Sequence, residues 1–183
     1  EMKGWGVPMK GYDFTNHEED IYVGYRYFDT FGKPVAYPFG YGLSYTSFAY
    51  GKPAVKVNGA NVEVSVSVKN TGDVEGKEAV QVYVSAPKSS IEVPAKELKS
   101  FAKTRSLKPG ESQTLKMTIP VRDLASYDEQ NSQWLAPAGT YTFHVAANIA
   151  DIRGTAKANI KQYTEKTTDV LAPKEPLNLL KQN

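Results

Sequence analysis

Residues 62–68 alternate strictly: Val62, Val64, Val66 and Val68 interleave with Glu63, Ser65 and Ser67. A period of two sends all four valines to one face of a strand and the polar residues to the other. Asn70-Thr71-Gly72 then supplies a turn. Val80, Val82 and Val84 repeat the alternation, and Leu98 and Phe101 follow a loop that holds Pro87 and Pro94. Lys108-Pro109-Gly110-Glu111 is the next turn, leading into Leu115, Met117 and Ile119. Ala136-Pro137-Ala138-Gly139 turns into Tyr141, Phe143 and Val145, and Ala156, Ala158 and Ile160 suit a last strand. No helical period runs through this zone. About seven strands with turn signals between them predict an all-β chain built as an immunoglobulin- or fibronectin type III-like sandwich over residues 51–162. A sandwich of that size is expected to fold on its own.

Residues 1–50 have a different pattern. They hold eight of the 12 Tyr, five of the seven Phe and one of the two Trp. Rings bury roughly 150–250 Å² each, more than so short a stretch can hide within itself, and an exposed apolar cluster marks a contact surface. The segment is therefore expected to be one half of an interface whose other half is missing or lies further along the chain, with Tyr22, Tyr25, Tyr27, Phe28, Phe39, Tyr41 and Tyr45 as docking residues. Its one predicted helix covers residues 17–28. Thr15 and Glu18 make a capping box, and Glu18, Glu19 and Asp20 place negative charge at the N-terminus. Ile21, Tyr25 and Phe28 then share one face, and Gly24 in the middle costs about 1 kcal/mol. Residues 163–183 read as a polar, proline-punctuated tail.

Composition narrows the function classes. Apolar content of 40% and charge of 23% are those of a globular protein. The net charge is only +2 and no basic run reaches five residues, which speaks against a nucleic-acid partner. No apolar stretch is long enough for a membrane-spanning helix. The chain has no cysteine, hence neither disulfides nor thiolate metal sites. It starts at Glu1 and reads as a fragment, so a missing targeting signal says nothing about compartment.

Candidate chemistry is sparse. Glycosidase chemistry needs two carboxylates facing each other across a sugar, and the acids here fall in turns and caps. Asp29 is the best exception, with an Arg26–Asp29 ion pair at i, i+3 as its ordinary role. His17 and His144 lack a third ligand, so no metal site is predicted. Ser44 lies outside a Gly-x-Ser-x-Gly elbow. Gly40-Tyr41-Gly42 suits a tight loop better than a phosphate cradle. Trp134 and Tyr141 are expected to cap the core rather than form a sugar-stacking platform.

Two strings carry a resemblance. Glu19-Asp20-Ile21-Tyr22-Val23-Gly24-Tyr25-Arg26-Tyr27-Phe28-Asp29 and Tyr37-Pro38-Phe39-Gly40-Tyr41-Gly42-Leu43-Ser44-Tyr45-Thr46-Ser47-Phe48 resemble the C-terminal part of family 3 glycoside hydrolases, the β-glucosidase and β-xylosidase family. Residues 68–84, 94–101 and 107–111 are similar to the fibronectin type III-like domain that ends many of these enzymes. In order, these motifs cover roughly residues 17–160. The resemblance implies a parent that is a retaining exo-β-glycosidase, with an aspartate nucleophile on a barrel and a glutamate acid/base on an α/β domain. No position here matches either motif, so it implies no catalytic residue and no cofactor in this chain. It implies the barrel and the α/β domain as partners, with an oligosaccharide as a further one. The aromatic arm would cross from the α/β domain to the sandwich. That adjacency makes Arg26 and Tyr25 the candidates for contact with substrate, and the family leans toward a periplasmic or secreted setting. A free-standing carbohydrate-binding sandwich and an adhesion-type fibronectin module remain open.

Overall fold

A computed structural model describes residues 17–168 and 177–181. Two sheets face each other. In the first, β3 (Asn61–Asn70) is central, with β6 (Ser112–Pro120) along one edge. β1 (Phe48–Tyr50) and β2 (Ala54–Asn58) follow one another along its other edge. The second sheet has the order β10-β9-β4-β5, built from β4 (Ala79–Ser85), β5 (Glu97–Lys103), β9 (Gly139–Asn148) and β10 (Asp151–Ile160). Its neighbours all run antiparallel. The all-β sandwich expected from the alternation is the fold observed.

The alternation explains the core. Val62, Val64, Val66 and Val68 point inward with Leu115, Met117 and Ile119, against Val80, Val82, Val84, Tyr141, Phe143 and Val145 of the other sheet. Burying each such side chain is worth about 1.5–3 kcal/mol. Tyr141 lies within this core, and its hydroxyl donates to the Pro137 carbonyl at 2.9 Å, pinning the turn into β9. Asn70 ends β3 fully buried. Its Nδ2 donates to the carbonyls of Val74 and Leu107, at 2.7 and 2.8 Å, while its Oδ1 accepts from Thr46 and Gly72. The amide is thus satisfied at every side-chain atom that can bond, as a buried polar group must be.

Short strands add what the alternation does not show. A third sheet, β11-β8-β7, is made from β7 (Ser126–Asp128), β8 (Gln133–Ala136) and β11 (Tyr163–Lys166). Strand pairing also runs past residues 51 and 162, since β1 carries Phe48 into the main core and β11 pairs with β8. A second apolar cluster, Tyr83, Ala146 and Ile149, sits on the outer face of the β10-β9-β4-β5 sheet.

The helix differs from expectation. Residues 17–28 do not form one helix; α1 spans only Tyr25–Thr30. Asp20 sits at φ +50° and Gly24 at φ +59°, ψ −130°. Neither conformation continues a right-handed helix, so Gly24 is the residue before the helix, where it accepts backbone N–H bonds from Tyr27 and Phe28. Thr15, half of the expected capping box, lies outside the described residues.

Candidate functional site

The arm lies on the outer face of the second sheet. Strand β5 is an edge whose free amides would otherwise invite pairing with another chain. The amide of Leu98 donates to the Tyr25 hydroxyl at 3.0 Å, and that of Ala95 to Thr30 Oγ1 at 3.0 Å. Charges follow the same seam. Arg26 reaches Glu97 at 3.0 Å, Glu97 also holds Lys99 at 3.1 Å, and Lys96 reaches Asp29 at 2.8 Å. The expected Arg26–Asp29 pair is thus replaced by one pair to Glu97, the first residue of β5, and one to Lys96 just before it, because a short helical turn lies against a carboxylate and an amine offered there. Arg26 Nε and Asp29 Oδ2 are buried with no hydrogen-bond partner among the described residues.

Residues 38–42 are pinned as firmly. The Ile149 amide donates to the Phe39 carbonyl at 3.1 Å. Gln81 Nε2 donates to the carbonyls of Gly40 at 3.1 Å and Ala147 at 2.7 Å, while Tyr83 donates to Gln81 Oε1 at 2.6 Å. Burial, helped by the nearby Tyr25 and Asp29, pushes the Tyr83 phenol far up, so it stays a donor. Gly40 has φ +81°, and a Cβ there would overlap the Gln81 side chain. Tyr25 stacks on Phe39 at 4.3 Å and meets Tyr83 edge-on at 6.2 Å, covering the outer apolar cluster.

The docking residues named from sequence therefore divide. Tyr22 is buried within the chain, edge-on to Phe31 at 5.0 Å, with its hydroxyl donating to Glu92 at 3.3 Å. Burial, reinforced by Glu92, raises that hydroxyl to about 12. Tyr25, Tyr27 and Phe28 are half-buried. Phe39 and Tyr41 face solvent, and Tyr45 is 98% exposed. Sequence reasoning missed Tyr37 and Leu43, the latter 89% exposed, and Phe101. Phe101 pairs with Gln81 across β5 and β4, so its ring stands on the same outer face, beside the pinned loop. A cleft of about 450 Å3 opens here, lined by Tyr25, Phe28, Asp29, Tyr37, Phe39 and Ile149. Tyr25 is in its wall, whereas the Arg26 guanidinium turns to Glu97.

Other chemistry-bearing groups have structural partners. His144 Nε2 lies 2.9 Å from Ser85 Oγ, but Ser85 donates its one proton to the Ala95 carbonyl at 2.7 Å. The imidazole must then donate to the hydroxyl, so it cannot act as that serine's base. Burial, with Lys96 close by, lowers the His144 pKa. His17 lies 3.2 Å from Glu19. Glu78 is raised by burial and accepts from Tyr50 at 2.7 Å, beside the Arg153–Asp151 pair. Trp134 and Tyr141 do not meet as a platform: Tyr141 is in the core and Trp134, on β8, is 39% exposed. Among the described residues no three His, Cys, Asp or Glu cluster as metal ligands.

Comparison with known proteins fits this geometry. Residues 78–149 match the fibronectin type III-like domain family. A β-glucosidase of Bacteroides ovatus is 43% identical over 143 residues, covering 76% of this chain and 19% of its own length. An exo-α-(1→6)-L-arabinopyranosidase of Bifidobacterium longum is 43% identical over 142 residues, covering 77% of this chain and 19% of its own length. The solved structure of β-glucosidase 3B from Thermotoga neapolitana in complex with α-D-glucose superposes with a TM-score of 0.79 at 47% identity, over 82% of this chain and 21% of that one. The chain thus spans about a fifth of the length of the relatives it matches.

Proposed function

From a chain that carries a fibronectin type III-like domain and is homologous to family 3 β-glucosidases over three quarters of its length, we infer a C-terminal structural module of a retaining exo-β-glycosidase acting on β-glucosides or β-xylosides. In this reading the module supplies no catalytic carboxylate and binds no cofactor. Its task is to hold the barrel and the α/β domain of the parent enzyme. Residues 1–50 are the arm between domains, the sandwich is the body, and residues 163–183 are a tail, with Phe48–Tyr50 of the arm and Tyr163–Lys166 of the tail paired into the sheets. Leu180 brings the tail back to the arm by donating to the Glu18 carbonyl at 2.7 Å.

One observation carries the reading: Val35, Tyr37, Phe39, Tyr41, Leu43 and Tyr45 face outward from an arm whose backbone is fixed to the sandwich. Interfaces draw their energy from such rings held in one geometry, and four fifths of the relatives' length remains to cover them. Tyr25 and Asp29 line the cleft on this face, so Tyr25 is the residue of the arm best placed to border a sugar, with Arg26 behind it.

The test is an assay of the highly purified chain against aryl β-glucosides and β-xylosides, beside the full-length enzyme. The isolated chain is expected to show no turnover, since neither leaving-group protonation nor a glycosyl-enzyme is available without two facing carboxylates. Turnover that tracks with the chain and vanishes in Asp29→Asn would overturn the reading.

A further inference from the structure

A second surface lies away from the arm. The cross-strand register places Tyr127 of β7 opposite Trp134 of β8, and Trp134 opposite Glu165 of β11. Directly opposed residues in an antiparallel pair share a face, so the three side chains form a row across the small sheet. Tyr127 and Trp134 meet edge to face, with centroids 5.5 Å apart and planes at 68°. They are 38% and 39% exposed and do not belong to the main core. The row ends in a fork. Arg122 Nε donates to Glu165 Oε2 at 2.7 Å and its second terminal nitrogen to Oε1 at 3.1 Å, while Tyr163 donates to Oε2 at 2.6 Å.

We propose that the Tyr127–Trp134 corner and the Arg122–Glu165 fork form a binding site for a β-linked pyranose oligosaccharide. The apolar C–H face of a pyranose with equatorial hydroxyls stacks on an aromatic face, and two rings inclined at 68° offer a floor and a wall for it. Vicinal equatorial hydroxyls need a donor and an acceptor side by side. Arg122 has five N–H groups and spends two on Glu165, leaving the rest to donate, and the ionised carboxylate has lone pairs left to accept. Because the fork is already assembled, binding would not have to order it. A cleft of about 750 Å3 continues from the fork, lined by Arg122 and Tyr163 together with Asn61, Asn159 and Gln162. That volume suits several sugar units, and the lining amides suit their hydroxyls.

The site is independent of the docking face. Strand β10 runs ten residues from the turn at Ile149, where the arm is pinned, toward Tyr163. At about 3.3 Å per residue the two surfaces lie roughly 30 Å apart. The proposal therefore goes beyond the structural role above and needs only this chain to test it.

The test uses the full 183-residue chain carrying Trp5→Phe, so that tryptophan emission reports Trp134 alone. Cellohexaose and xylohexaose are titrated to millimolar concentrations, with maltohexaose as the α-linked, helically coiled counterpart. The expected result is a saturable emission change with the β-linked hexaoses, accompanied by amide and indole shifts at Tyr127, Trp134 and Glu165 in nuclear magnetic resonance spectra. Trp134→Ala, followed by those shifts, is expected to weaken binding about tenfold or more. Because that change removes a ring from a small sheet, Arg122→Gln with Glu165→Gln provides a second variant that keeps both rings, again expected to bind about tenfold more weakly. The absence of any saturable change, undiminished affinity in either variant, shifts confined to the arm, or equal affinity for maltohexaose would each overturn the proposal.

Discussion

Single residues fix where the arm lies, and Gly40 most of all. Its φ of +81° and the Gln81 side chain against its α-carbon leave no room for a Cβ. Gln81 cannot swing aside freely, because it holds hydrogen bonds to Gly40, Ala147 and Tyr83. Gly40→Ala is therefore expected to cost about 2–3 kcal/mol, from the left-handed backbone and a disturbed hydrogen bond, read as a lower midpoint in urea unfolding. Gly42→Ala serves as the control, since nothing lies within 4 Å of a Cβ there and its φ is not positive. Equal effects at the two glycines would refute the pinned loop. Electrostatics at this scale predicts an acid limb. Arg105 and the Lys108 amide hold Glu111 at about 2, and Arg122 and Tyr163 hold Glu165 at about 2, against an ordinary 4.5. A depressed carboxyl stabilises the fold above the unfolded value and loses that contribution as pH falls toward the folded one. Stability should thus decline between about pH 4.5 and 2, and less steeply in Glu111→Gln and Glu165→Gln. Both pairs are solvent-exposed, so the effect is small and shrinks with salt. Parallel pH profiles for the substituted and unsubstituted proteins would contradict it.

At the level of elements, the long strands were legible and the short ones were not. Four alternating valines declare β3 because one face is wholly buried and the other is at least partly wet. β7, β8 and β11 have three or four residues each, too few to show a period, and β11 finds its partner, β8, far back in the sequence. The helix was misplaced because charge and apolar spacing fitted residues 17–28, while the positive φ of Asp20 and Gly24 could not be read from spacing alone. Phe101 was placed with the strand pattern, yet a register shift across β4 and β5 and its pairing with Gln81 leave it 73% exposed. Of the docking residues, Tyr22 was legible as an interface residue with a partner possible further along the chain, but nothing in its spacing singled out Phe31 and Glu92. The ion pairs to β5 were invisible, since Arg26 and Glu97 are far apart in sequence. Element packing also predicts where the sandwich can be cut. A fragment of residues 46–168 keeps β1 and β11 and should unfold cooperatively. One of residues 51–162 loses Phe48 from the core and the strand on β8, and should be less stable by about 3–5 kcal/mol, the scale of deleting a buried Phe. Equal thermal midpoints would show that β1 and β11 lie outside the folding unit.

Across the whole molecule, the rings the chain uses itself differ from the rings it turns outward. Tyr22 and Tyr25 bind arm to sandwich, the first through Glu92 and the second through Leu98 and Tyr83. Tyr45 is 98% exposed and Leu43 89%, and neither belongs to the core of the isolated chain. A Tyr45→Ser, Leu43→Ser double substitution is the direct probe, made both in the 183-residue chain and in the full-length enzyme, with melting temperature measured in both and kcat and KM in the latter. In the isolated chain the change should be near zero, within about 0.5 kcal/mol, as for surface positions. In the full-length enzyme it should lower stability by at least about 2 kcal/mol, as loss of interface anchors does, while the surviving folded enzyme keeps its kcat and KM. Equal, small shifts in both proteins would contradict the docking face, and so would a full-length variant that melts normally but loses turnover or substrate affinity.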